Sequence, residues 1–347
     1  MIHAVILAAG LGSRMSPLTK AVPKPLIPMA GLTILERLIN SLREGGIQSF
    51  TIGVGWLGED ICSHIQELSD PERILCVDVP NYEKGPLETL VCSLEETTAE
   101  TFLVCPADYM VAPSLVSSFI NSHENSKDER ILSLAVDSAS KQGSIVAIEK
   151  NGAIRGFAKS VSNSKDAFGR SAMLIAGGPD AKKAFKKGLH EGEATVAGAI
   201  ARMTSKSDRI LPVIVEGYWK DLDTVDDILD ALPYTILHTS PNSHSISVQE
   251  GDAIEVGDII SMPSGIVLNR NVKITGPAHV DENCTISEGA RIGPSVSLAK
   301  GTYIPRNCSV TNAILFNNPP LQEGDQIRNA IVQANSIMHG GKQNVPK

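Results

Sequence analysis

The sequence predicts an α/β chain: a doubly wound, mainly parallel sheet over residues 1–235, followed by a coil of short strands from residue 251 to the end. Three observations predict it. Strand-like and helix-like apolar patterns alternate along the first two thirds of the chain. A polar stretch, HTSPNSHS at 238–245, then interrupts them. Beyond it an apolar residue returns at every sixth position. At 347 residues the chain exceeds a usual single domain, so two are expected. Hydrophobic residues make up 42% and aromatics only 4%, so the cores must rely on Ile, Leu, Val and Ala.

The alternation reads as follows. Residues 4–7 are a short apolar run that stops at a Gly-rich turn, as a buried strand does. A helix at 33–43, a strand at 50–54, a helix at 58–67 and a strand at 74–79 follow from the apolar periodicity. Next come a helix at 87–96, a strand at 101–105 and a helix at 113–121. Strands at 131–136, 144–148, 153–158, 171–176 and 210–215, with helices at 180–187, 194–203 and 225–232, carry the unit to residue 235. Residues 236–250 are the expected linker, and 251–347 the second domain with its C-terminal cap.

The second domain has a different period. From Val256 through Leu268, Ile274, Ile286, Ile292 and Ile304 to Val310, every sixth residue is a large aliphatic without a miss. Two positions before each stands a second series of mostly small or β-branched residues, among them Val272, Ala278, Cys284, Ala290, Thr302 and Cys308. A helix cannot keep one face over a strict period of six, whereas a triangular β-coil with six residues per side can. Ten such hexads make a little over three coils. The pattern resembles the left-handed parallel β-helix of the hexapeptide-repeat family. The handedness comes with that resemblance, because a right-handed crossover is the general rule.

Charge and composition exclude several functions. A net charge of −8 argues against general nucleic-acid binding. No run of eighteen apolar residues occurs, and the opening MIHAVILAAG lacks a basic leader, so neither a membrane span nor a signal peptide is expected. Six cysteines without zinc spacing read as reduced thiols of a cytoplasmic protein. Locally the charge inverts: residues 1–35 hold no carboxylate, yet contain Arg14, Lys20 and Lys24. That arrangement suits an anion.

The chemistry-bearing segment runs from Leu7-Ala8-Ala9-Gly10-Leu-Gly12-Ser13-Arg14-Met-Ser-Pro-Leu-Thr to Pro23-Lys24-Pro25-Leu26. Small residues and glycines after a strand let backbone N–H groups approach phosphate oxygens. Arg14 offers a planar fork and Lys24 a compact charge, with Pro23 and Pro25 stiffening the backbone around the lysine. The dinucleotide pattern GxGxxG fails, since position 15 is Met, and no GKS or GKT supplies a P-loop.

As a whole the segment resembles the signature of the sugar-phosphate nucleotidyltransferases, whose fold is a Rossmann-like sheet. The resemblance covers residues 1–235 and implies further roles. An Asp after a central strand holds Mg²⁺ in that family, and Asp108 fits the placement. A second Asp lies in a Trp-x-Asp segment, which makes Asp221 the better ligand and Asp223 the reserve. Each of these acids has an alternative role as a helix cap. Lys159 aligns with a lysine that reaches the acceptor phosphate, although its flanking Glu and Pro are absent and a plain surface lysine is the alternative. Gly85 stands where the family reads Gly-Thr-Ala near the nucleobase, but here Pro86 and Leu87 follow, so the base stays open.

The expected function is therefore transfer of a nucleotidyl group from an NTP to a sugar 1-phosphate or a polyol phosphate. The nucleotide would lie on Leu7, Ala8, Ala9, Gly10, Gly12, Ser13, Arg14, Lys24 and Gly85, with Arg14 and Lys24 catalytic. A CTP-dependent inositol-phosphate cytidylyltransferase is one alternative; a non-catalytic nucleotide-binding regulatory subunit is another, of a different class. An acyltransferase site in the coil is disfavoured, because His279 is the one histidine within the repeats. The coil is expected to cap the enzyme domain and to support a homo-oligomer.

Overall fold

A computed structural model describes residues 2–126, 130–149, 151–158, 167–205, 209–239, 247–248, 255–256, 260–261, 265–334 and 336–341. In chain order the elements are β1 (Ile2–Ala8), β2 (Pro28–Met29), β3 (Leu32–Thr33), α1 (Ile34–Glu44), β4 (Phe50–Val54), α2 (Gly58–Gln66) and β5 (Ile74–Asp78). Then come α3 (Pro86–Glu95), β6 (Thr101–Pro106), β7 (Tyr109–Val111), α4 (Pro113–Asn125), β8 (Leu132–Asp137), β9 (Ile145–Ile148), β10 (Ile154–Ala158) and β11 (Ala167–Gly177). Helices α5 (Pro179–His190) and α6 (Val196–Ser205), strands β12 (Ile210–Ile214) and β13 (Trp219–Asp221), and helix α7 (Val225–Leu237) complete the first two thirds. The expected strands and helices are all present. Two short strand pairs were not foreseen: β2 with β3, and β7 with β13, are too brief to leave a period in the sequence.

The chain forms two compact units, one of residues 1–11 and 35–221, the other of 12–34 and 222–347. This division departs from the boundary expected at 235. The signature segment from Gly12 onward and helix α7 group with the C-terminal strands.

In the first unit the sheet runs β10-β9-β11-β6-β1-β4-β5, with β8 beside β11 and β12 beside β8. It is parallel through β6-β1-β4-β5, and β1 and β4 in its middle are largely buried on both faces, as parallel strands usually are. Strand β11 runs antiparallel to β6, β8 and β9, so the sheet is mixed beyond its middle. Strand β1 sits in the centre with Ala4, Val5 and Ile6 wholly buried. One core of this unit joins Val5, Leu87, Leu90, Phe102, Val104, Leu134, Val136 and Phe185. Its aliphatic make-up follows the scarcity of aromatic residues.

In the second unit, residues 12–34 make short 3₁₀ turns and the β2–β3 hairpin. Helix α7 opens on a capping box, Thr224 with Asp227, and continues through Pro233 to Leu237. It therefore overruns the expected start of the linker at 236, held by buried Leu232, Thr235 and Ile236. Residues 240–246 and 249–250 of that linker lie outside the described residues.

Beyond it, two- and three-residue strands pair in parallel with strands three hexads further on: Val267 with Thr285 and Thr285 with Tyr303, Lys273 with Arg291, Ala278 with Val296. Both periodic series face inward among the described residues: Leu268, Ile274, Ile286, Ile292, Ile304, Ala278, Cys284, Ala290 and Cys308 form one core. The apolar stretch at 327–332 lies in the strand Gln326–Gln333, parallel to Ser309–Leu315, and Ser336–His339 closes antiparallel against it. Among the described residues no helix is long and apolar enough to cross a membrane, and the six cysteines are free thiols.

Candidate active site

Strand β1 delivers the first group of candidate residues. Its last residues lie between β4 and β6, and the carbonyls of Leu7 and Ala9 accept N–H bonds from Ala107 (3.0 Å) and Trp56 (3.2 Å). Ala8 and Ala9 are buried, whereas Gly10 is exposed and a side chain built on it would meet nothing within 4 Å. The backbone at Gly10 is thus open to a ligand.

Acidic residues of the same unit come next. Asp108 lies in the turn between β6 and β7, and Asp221 ends β13. Strands β7 and β13 pair antiparallel, with Asp221 opposite Tyr109. That register brings carboxylate oxygens of Asp108 and Asp221 within 4.8 Å of each other, both half-buried. Neither acid caps a helix: the residue before α4 is Ala112, and α7 is capped by Thr224.

The short hairpin is held from behind. The buried Tyr109 hydroxyl donates to the Ala172 carbonyl at 2.5 Å. The Trp219 indole N–H donates to Asp137 at 2.9 Å, and Gln142 donates to the Trp219 carbonyl at 2.6 Å. Burial, then the charges near it, Asp221 among them, holds the Tyr109 phenol well above its ordinary pKa. Burial and next the Asp108 carboxylate push the Cys105 thiol up likewise. Both groups stay neutral and add no negative charge beside the two acids. Tyr109, Asp137, Gln142 and Trp219 were missed as supporting residues. Only Trp219 carried a signal, as the aromatic of Trp-x-Asp.

The second unit holds the cations. Gly12 takes a left-handed conformation (φ 61°), and a Cβ there would press on Thr19 Cγ2 at 2.9 Å, so glycine is required for this turn. The Thr19 hydroxyl donates to the Gly12 carbonyl at 2.9 Å, and Met15 and Leu18 anchor the segment by full burial. Ser13 and Arg14 are left exposed. Lys24 starts a 3₁₀ turn after the extended Pro23 and is only 7% exposed. Asp223 forms an ion pair with Arg14, and its other oxygen lies 3.7 Å from Lys24 Nζ. One carboxylate therefore spans the two cations assigned to phosphate.

Among the other candidates, Gly85 precedes α3, and Glu88 in the first turn of that helix is largely buried, 3.7 Å from Lys84. Lys159 lies outside the described residues. The first unit by itself offers an open backbone and paired hard-oxygen donors, and the second by itself a guanidinium and an ammonium held by one carboxylate. Those are the parts of phosphoryl or nucleotidyl transfer.

Comparison with known proteins agrees in kind. Residues 4–157 match the MobA-like NTP transferase domain family. The chain is 34% identical over 110 residues to a 2-aminoethylphosphonate cytidylyltransferase of Lancefieldella rimae, covering 32% of this chain and 44% of that protein. It is 35% identical over 116 residues to a bifunctional IPC transferase and DIPP synthase of Rubrobacter xylanophilus, covering 33% of this chain and 26% of that one. It thus spans less than half the length of either. A probable mannose-1-phosphate guanylyltransferase of Oryza sativa subsp. japonica is 23% identical over 342 residues, or 97% of this chain and 86% of that protein.

Proposed function

We propose that this chain is a sugar-phosphate nucleotidyltransferase, a reading supported by its likenesses, and that it couples an NTP to a sugar 1-phosphate or a polyol phosphate and releases pyrophosphate. The observation that carries the reading is the β7–β13 pairing, which brings Asp108 and Asp221 within 4.8 Å. Two carboxylates so spaced, each half-buried and neither spent on a helix cap, fit a hard divalent cation, and Asp108 with Asp221 would hold Mg²⁺. Asp223, occupied with Arg14 and Lys24, stands in reserve. When bound, the ion supplies charge neutralisation at phosphate oxygens.

The remaining roles fall to the chain itself. An acceptor phosphate oxygen attacks the α-phosphorus in line, the bond to the β-phosphate oxygen breaks, and pyrophosphate departs. The acceptor is already anionic at neutral pH, so no side chain must remove its proton. Arg14 would take the departing β,γ-phosphates and Lys24 the α-phosphate, while Lys159 would receive the acceptor phosphate. Leu7, Ala8, Ala9, Gly10, Gly12, Ser13 and Gly85 would line the nucleotide. Catalysis then consists of positioning and of charge placed in advance.

A second reading concerns the base. The 34% identity over 110 residues to a cytidylyltransferase supports CTP, and the Trp219-Lys-Asp221-Leu-Asp223-Thr224 ending, which resembles that of inositol-phosphate cytidylyltransferases, supports inositol phosphate as the acceptor. A non-catalytic, regulatory role remains the reading that a dead enzyme would favour. For residues 251–347 we propose a left-handed parallel β-helix with a C-terminal cap, supported by parallel pairing across three hexads. We further propose a homo-oligomer formed through it, in the cytoplasm.

Pyrophosphate release with Mg²⁺ tests the function, crossing five nucleoside triphosphates against sugar 1-phosphates and inositol phosphate. Release confined to one pair is the expected result and names both substrates. Nucleotide binding without release from any pair would overturn the enzymatic reading.

A further inference from the structure

The segment 12–34 carries both Arg14 and Lys24, and it groups with the C-terminal strands rather than with its own chain neighbours β1 and α1. Its contacts explain why. Helix α7 packs on β2 and on the strands Ala278–Val280 and Ser309–Leu315. The strand Ser336–His339 lies against the turn Leu18–Lys20. At the tip of the β2–β3 hairpin, the Ala30 N–H donates to Ser297 Oγ at 3.0 Å, with both residues buried. Ala30 holds a left-handed backbone (φ 49°), a conformation that persists for a non-glycine residue only where its surroundings enforce it. The next residue, Gly31 (φ 85°), has little room for a side chain: a Cβ would stand 3.0 Å from Nε2 of the buried His279, which would have to give way by a few tenths of an ångström. His279 and Ser297 are direct partners on adjacent strands of the coil.

From this anchor a short bonded path leads to Lys24. The β2–β3 hairpin closes through Ile34 N–H on the Ile27 carbonyl at 3.1 Å. Ile27, fully buried, donates in turn to the Lys24 carbonyl at 3.2 Å. A buried N–H tolerates no loss of its acceptor, so the Ala30–Ser297 bond fixes where the hairpin seats.

We infer that Ser297 and His279 are positioning residues for the phosphate-binding arm, and that the coil sets where Lys24 and Arg14 stand. The coil is then a working part of the nucleotide site, beyond any role in assembly. This rests on the nucleotidyltransferase reading for what the arm binds. The mechanical link from coil to arm does not.

Hydrogen exchange on the intact chain tests the link, with steady-state kinetics alongside. Ser297→Ala is expected to speed exchange across 13–27 by about tenfold, the scale set by losing one buried acceptor, while 2–8 are unchanged. The KM for NTP should rise by about as much, and the KM for the acceptor should not. A merely structural defect would lower the active fraction, hence kcat, with both KM values intact. Gly31→Ala perturbs the same seat from the arm's side and serves if Ser297→Ala does not fold. Ser287→Ala, at another buried coil serine, is the control and should leave 13–27 unaltered. Unchanged exchange in a folded Ser297→Ala or Gly31→Ala chain overturns the inference. Absence of pyrophosphate release from the wild type overturns the nucleotidyltransferase reading instead, and the exchange result still decides the link.

Discussion

Lys24 is 7% exposed, and an ammonium so buried is stable only beside negative charge. Asp223 supplies some of it at 3.7 Å and holds Arg14 with its other oxygen. A triphosphate aimed at the same two cations must compete with that carboxylate. In EDTA, Asp223→Asn is therefore expected to bind inorganic pyrophosphate tighter by about threefold to tenfold, a charge-assisted contact discounted for the exposure of Arg14 and Asp223. Titration calorimetry measures it, and equal or weaker binding would sink the idea of competition. Lys24→Ala removes the donor itself. Turnover should fall roughly a hundred- to a thousandfold, the magnitude for losing one donor that stabilises transition-state charge. A variant within about threefold of wild type would show that Lys24 does not contact the reacting phosphates.

At the scale of elements, helix α4 and strand β8 share a half-buried histidine. His123 Nδ1 lies 2.9 Å from Ser133 Oγ, and Arg130 donates to the His123 carbonyl. Burial, then the Arg130 charge, lowers the His123 pKa to about 4. The unfolded chain binds this proton at a higher pH than the folded one. Stability from this site is thus complete above the ordinary histidine pKa of about 6.5 and declines as pH falls from there toward about 4. Urea titrations across that range should show the decline, and His123→Gln should flatten it; an unchanged slope would mean that another group titrates.

The elements around it show what sequence reveals. Strands and helices long enough to hold a period were legible, because burial of one face imposes that period. The cationic segment was legible too, since glycines and prolines around Arg14 and Lys24 answer to local backbone demands. The β7–β13 pairing was not, because three-residue strands leave no period, and its bracing by Tyr109, Asp137 and Trp219 joins residues far apart in the chain. The grouping of 12–34 with residues beyond 221 was hidden for the same reason.

For the whole molecule, the periodic strands leave a question of assembly. Val267, Thr285 and Tyr303 stack in register up one face of the coil. Val267 is 38% exposed and Tyr303 56%, although the residues beside them in sequence, Leu268 and Ile304, are buried. Val267 and Tyr303 flanking Thr285 at one register of the coil present an uncharged, partly apolar column, and a second copy turned about a twofold axis can bury it against itself. The net charge of −8 opposes association elsewhere, which favours an interface built on such an uncharged column. Light scattering on the full chain should return an integral multiple of the monomer mass. The double change Val267→Glu with Tyr303→Glu places like charges in facing positions, and it should return the monomer with an unaltered circular dichroism spectrum. A wild-type chain already at the monomer mass would remove the homo-oligomer from the proposal. An oligomer indifferent to both substitutions would move its interface to another face.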